Sequence, residues 1–125
     1  MKITGTIALI LASLSTVTLA DSKHGKSATA TIQLANDQSG ANANVAVPEN
    51  GQKYSIKSLW GHTAVAKDGV VRASSAQLVA FQQDTVCKIF GGDHIHVELD
   101  ARKTWAQLKG GKVVDLDHAF VVCDD

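Results

Sequence analysis

The sequence predicts an all-β chain: a small antiparallel β-sandwich or barrel of about seven to nine strands, stapled by one disulfide. Three observations carry this expectation. Apolar and polar residues alternate with period two in short runs about ten residues apart, the pattern of half-buried strands. Turn-forming residues separate the runs, and no window combines helix caps with a 3.6-residue period. The 125 residues include two cysteines, Cys87 and Cys123, an even pair available to each other.

In chain order, the opening MKITGTIALILASLSTVTLA has one basic residue, Lys2, ahead of an apolar stretch, and ends in Thr18-Leu19-Ala20. That pattern is expected of a secretory signal peptide over 1–20, cleaved after Ala20. Its unbroken apolar run falls short of the roughly 20 residues that span a bilayer. DSKHGKS, residues 21–27, is polar and reads as a flexible mature N-terminus. Residues 28–125 are then long enough for one β domain and too short for two.

Within that domain, SATATIQLA places Ala28, Ala30, Ile32 and Leu34 on one face and Thr29, Thr31 and Gln33 on the other. NDQSGANAN follows as a loop rich in Asn, Asp, Ser and Gly. Further short strands are expected at NVAVP, KYSIKSLW, HTAVA, GVVRAS, AQLVAFQ, TVCKIF, HIHVELD, TWAQL, KVVDL and AFVVC. Between them stand Pro48-Glu49-Asn50-Gly51, Lys67-Asp68-Gly69, Gly91-Gly92-Asp93 and Lys109-Gly110-Gly111. Asp68-Gly69 is the clearest hairpin signal, because Asp-Gly suits a tight primed turn. SSAQLVAFQQ, with Ser74 as N-cap, is the best helix candidate, but its neighbours are β-like.

Charge narrows the partners. Twelve basic and twelve acidic side chains balance, with a mature charge near −1 once Lys2 is removed. No basic surface is available for a phosphate backbone or an anionic lipid layer, so neither a nucleic acid nor, after signal cleavage, a membrane is expected as partner. In an oxidising compartment Cys87 and Cys123 pair most simply with each other. The bond closes a loop of about 37 residues and stabilises by on the order of 4 kcal/mol. No Asn-x-Ser/Thr sequon occurs.

Chemistry-bearing residues concentrate in GGDHIHVELD. There Ile95, Val97 and Leu99 fall on one face of a strand and His94, His96 and Glu98 on the other. Two imidazoles at i and i+2 with a glutamate could chelate Zn²⁺ or Cu²⁺, completed by His118, Asp117 or His62. The simpler reading is the solvated face of a sheet, and no cofactor is expected. Cleavage after Ala20 would leave His24 fourth in Asp-Ser-Lys-His, whereas an amino-terminal copper chelate needs it third.

No Gly-x-Ser-x-Gly elbow or catalytic-cysteine context is present, and carboxylate pairs would have to come from Glu98, Asp100, Asp115 and Asp117. A non-enzymatic protein is the expectation. Trp60 and Tyr54 are candidates to stack on sugar rings, although Trp60, ending SIKSLW, and Trp105, within TWAQL, read first as core residues. The Asp-rich end DLDHAFVVCDD matches no EF-hand loop.

The runs ATIQLANDQSGANANVAVP and ASSAQLVAFQQDTVCKIF resemble segments of uncharacterised small secreted proteins of filamentous fungi. The two stretches cover about a third of the chain and contain no catalytic or binding residues to carry across. The resemblance implies a candidate effector: a secreted, monomeric, non-enzymatic interaction protein acting on a host, a competitor or a cell-surface partner. That partner would be an extracellular protein or a glycan. A carbohydrate- or wall-binding module is the alternative, and a metal-binding secreted protein using His94, His96 and Glu98 the third reading. Two cysteines set the chain apart from cysteine-rich toxins and chitin-binding effectors.

Overall fold

The computed structural model describes residues 28–92 and 94–125. The expected signal peptide over 1–20 and the N-terminal segment over 21–27 lie outside the described residues. The described chain runs through β1 (Thr29–Ala35), β2 (Asn42–Pro48), β3 (Lys53–Ser55), α1 (Ile56–Trp60), β4 (Ala66–Lys67) and β5 (Val70–Ala73). It continues through β6 (Ser75–Ala80), β7 (Val86–Gly91), β8 (Ile95–Asp100), β9 (Trp105–Gln107), β10 (Val114–Asp115) and β11 (Ala119–Asp124). The all-β expectation holds, in sandwich-like form without barrel closure, and more strands are found than predicted because two of them are two-residue pairings.

All pairings between these strands are antiparallel and make three sheets. The first has the order β9-β6-β1-β2, the second β3-β11-β7-β8, and the third is the small β10-β5-β4. Strand β1 behaves as its alternation demands: Ala30, Ile32 and Leu34 are fully buried. The Asn-rich loop after it closes on Asn36, whose Oδ1 accepts from the amides of Gln38 (3.0 Å) and Ser39 (3.2 Å). The Asp68-Gly69 hairpin forms as read, both residues at positive φ (54° and 79°), joining β4 to β5.

One continuous core joins the inner faces. Ile32, Leu34 and Leu78 enter from the first sheet; Ile89, Leu99 and Val121 enter from the second. Cys87 and Cys123 are cross-strand register partners on the inner face of β7 and β11, Cα atoms 4.1 Å apart, and they form the expected disulfide. A Cα separation this short fits an antiparallel pair lacking direct hydrogen bonds, where side chains approach most closely.

One expectation is corrected and one weaker alternative, a helix over SSAQLVAFQQ, gives way to the strand expected there. KYSIKSLW is a strand only through Ser55. The Ser55 hydroxyl then accepts from the Ser58 amide (3.2 Å), capping the single-turn helix α1. Helical phase gathers Ile56, Leu59 and Trp60 on the core side at i, i+3 and i+4, which period two would have split. Ser74 caps no helix. It is a buried corner between β5 and β6: its amide donates to the Ala35 carbonyl (2.7 Å), its hydroxyl to the same oxygen (3.2 Å), and Asp37 N–H donates to its Oγ (3.1 Å). At this corner the chain passes from the third sheet to the first.

Candidate functional site

The histidines come first, since they hold most of the metal-binding chemistry in the sequence. On β8, Ile95, Val97 and Leu99 face the core, while His96 and Glu98 are exposed. His94 does not join that face by strand geometry. It sits in the β7–β8 turn at φ 61°, and the alternation starts only at Ile95. The register partners of His96 and Glu98 are Phe90 and Lys88, so neither has a second ligand opposite it on β7.

His118 is exposed just ahead of β11, where its carbonyl accepts from Gly92 N–H (3.0 Å), and β7 lies between β11 and β8. Asp117 is used structurally: its Oδ1 accepts from Val71 N–H (3.2 Å) and its Oδ2 lies 3.8 Å from Lys57 Nζ. Among the described residues, no group of three His, Cys, Asp or Glu side chains is placed to hold a metal ion. The candidate carboxylate pairs are likewise spread between sheets. Glu98 and Asp100 belong to the second; Asp115, in the third, accepts from Asp117 N–H (2.8 Å). Asp100 accepts from the amides of Arg102 and Lys103 (both 2.9 Å), closing the β8–β9 turn.

Of the two tryptophans read first as core residues, Trp60 is buried and Trp105 is not. Trp60 is fully buried, and its Nε1–H donates to the Ala43 carbonyl (3.1 Å) at the outer edge of β2. It seals that edge and offers no ring to a ligand. Tyr54 is half-buried, its hydroxyl accepting from Asn50 Nδ2 (2.8 Å). Trp105, by contrast, is 50 % exposed and, with Val79 at 41 %, forms the pair of exposed large hydrophobic residues in the described chain. The parity of TWAQL held the signal: Ala106 and Leu108 are buried, which turns Trp105 and Gln107 outward.

Trp105 belongs to a distinct surface. The four strands of the first sheet, TATIQLA, NANVAVP, SAQLVA and WAQ, contain no charged residue and no histidine. Successive register pairs Trp105–Gln77, Gln77–Gln33 and Gln33–Asn44 form one row straight across the outer face. With neighbouring strands about 4.8 Å apart, that row is about 14 Å long. Val79 is the diagonal neighbour of Trp105 on the same face and is the extra residue where the β1–β6 register shifts, between the pairs Thr31–Ala80 and Ile32–Leu78. No other described residue bonds the amides of Gln33, Asn44 or Gln77. The outer face of the second sheet differs sharply, carrying Lys88, His96, Glu98, Asp124 and Lys53, the last lying 4.5 Å from the centre of the Phe120 ring.

A third feature is a cleft of about 270 Å³ between the β6–β7 and β8–β9 turns, lined by Asp84, Thr85, Asp100 and Arg102 among others. Its Thr85 is buried and donates its hydroxyl to Glu49 Oε2 (2.9 Å). Glu49 is 3 % exposed, and its other oxygen has no hydrogen-bond partner among the described residues. Burial pushes this carboxyl above its ordinary range, the Thr85 bond draws it partly back, and the charges of Asp125 and Asp84 raise it further. Being sealed from solvent, Glu49 acts on stability.

The chain matches no protein-family model, no curated protein and no solved structure.

Proposed function

We propose that this chain is a secreted, non-enzymatic interaction protein, effector-like in acting on a host, competitor or cell-surface partner, and that it binds through the outer face of the first sheet. One observation carries the reading. An exposed tryptophan ends an ordered row of uncommitted amides on a four-stranded face without charge. Solvated sheet faces ordinarily carry Lys and Glu, which keep neighbouring molecules apart. A surface that omits them and exposes Trp105 has the composition of a recognition patch. The disulfide suits an extracellular location, and no helix among the described residues is long and apolar enough to cross a membrane.

The test is retention of the purified protein by intact microbial and plant cells, measured as depletion from the supernatant. Trp105→Ala weakens retention about tenfold, the loss of one well-packed aromatic contact. Gln77→Lys, placing a charge mid-row, weakens it as well. Glu98→Lys on the opposite sheet leaves it unchanged. Equal retention of Trp105→Ala and the parent protein, with both folded, overturns the reading.

A further inference from the structure

We infer that the ligand of the Trp105–Gln77–Gln33–Asn44 face is a neutral, extended polysaccharide chain. This rests on the binding role proposed above and adds the chemical class of the partner.

Charge complementarity selects among partners. Phosphate-bearing polymers and anionic membranes need clustered Lys or Arg, and the four strands have none. A protein partner needs a desolvated apolar centre of several large side chains. Here Trp105 and Val79 are the large hydrophobics exposed, and the rest of the face is Gln, Asn, Ser and Thr with the small residues Ala35, Ala46, Pro48 and Ala80 between them. A neutral glycan meets the face on its own terms. The apolar face of a pyranose ring packs on an indole, and ring hydroxyls, each donor and acceptor, match carboxamides that also do both.

The shape agrees with that chemistry. Cross-strand pairing sets Gln77, Gln33 and Asn44 in line from Trp105 at the sheet edge, giving one stacking platform and then a track of hydrogen-bonding groups about 14 Å long. The length suits a short run of sugars laid flat across the strands. Gln107 and Asn42 extend the amide character into the parallel row through Ser75 and Ala35. A row of like hydrogen-bonding groups of this kind recognises a repeating chain in several registers.

The experiment uses the full mature protein with insoluble cellulose, chitin and β-1,3-glucan, alongside intact cells pretreated with protease or with a mixture of cellulase, chitinase and β-1,3-glucanase. At least one polysaccharide is expected to retain the protein, equally at low and high salt because no charge takes part. Trp105→Ala reduces that affinity about tenfold. Gln33→Ala and Gln77→Ala each reduce it by a factor of about 3 to 10. A soluble oligosaccharide of the retained polymer shields the exposed Trp105 from iodide quenching, while the buried Trp60 is unaffected by either.

The glycan hydrolases abolish cell binding, and protease does not. If protease abolishes it, the hydrolases spare it and no polysaccharide retains the protein, the glycan assignment is overturned and the binding face stands. If neither cells nor polysaccharides retain the protein, both fail. A stable dimer in sedimentation that shields Trp105 without any sugar assigns the face to a second copy and also overturns the inference.

Discussion

At the scale of single residues, Glu49 shows how little a side chain's type says about its duty. Glu49 falls in a turn sequence, Pro48-Glu49-Asn50-Gly51, where a glutamate would be expected in water. Instead its carboxyl lies under the β6–β7 turn against Thr85, one oxygen bonded and one orphaned. Desolvation raises its folded-state pKa above the ordinary glutamate range, with Thr85 opposing the effect and Asp125 and Asp84 adding to it. A carboxyl whose folded pKa lies above its unfolded one binds its proton more tightly when folded. Its stabilising contribution is complete below the unfolded value and is lost as pH rises through the folded one.

The wild-type protein is therefore expected to lose stability, from this group, on going from about pH 4 toward neutrality. Glu49→Gln keeps an acceptor for Thr85 and cannot ionise, so its denaturant midpoint rises relative to wild type at neutral pH and the gap closes in acid. Parallel pH profiles for the two proteins would show that Glu49 pays no ionisation cost. Trp60 was legible as a core residue from the apolar end of SIKSLW. Its bond to the Ala43 carbonyl was not, because the partner is seventeen positions away and only folding brings the two together.

At the scale of elements, legibility followed periodicity. Strands β1, β7, β8 and β11 alternate cleanly and lie where the pattern placed them. Helix α1 escaped because a five-residue helix is shorter than the window in which a 3.6 period becomes visible. The alternation through GGDHIHVELD breaks at an element boundary. His94 has strand parity on paper, but the turn puts it at positive φ, outside the strand.

That turn offers a sharp test. Gly91 has φ 103°, and a Cβ there would lie 2.9 Å from the His118 carbonyl oxygen. Gly91→Ala is expected to cost about 2–3 kcal/mol, backbone strain plus displacement of a neighbouring main chain. Gly69→Ala shares a positive φ (79°) but meets no atom within 4 Å, and is expected to cost about 1 kcal/mol. Chemical denaturation of both variants checks the ordering. Equal losses would remove the steric role of the His118 carbonyl.

At the scale of the whole molecule, the disulfide is the one tertiary contact that the sequence specified outright, because the chain has two cysteines and no others. It joins adjacent strands of one sheet, and both cysteines are completely buried. Replacing both by alanine is expected to remove about 4 kcal/mol, the unfolded-state entropy of the closed loop. A fall in denaturant midpoint at unchanged m-value is the signature. Reductant should act on the native protein only at the rate of unfolding, since no thiol reaches the bond in the folded state.

Alternation, turn chemistry and the cysteine pair were enough to determine an all-β chain, its disulfide and the inward face of most strands, because each is written in contacts between near neighbours along the chain. Which strands share a sheet, and hence which outward residues share a face, depends on pairings between distant segments that no local pattern encodes. Tertiary structure therefore decided that His96 faces a sheet bearing charges of both signs, that Glu49 is sealed beneath Thr85, and that Trp105, Gln77, Gln33 and Asn44 fall into one uncharged row.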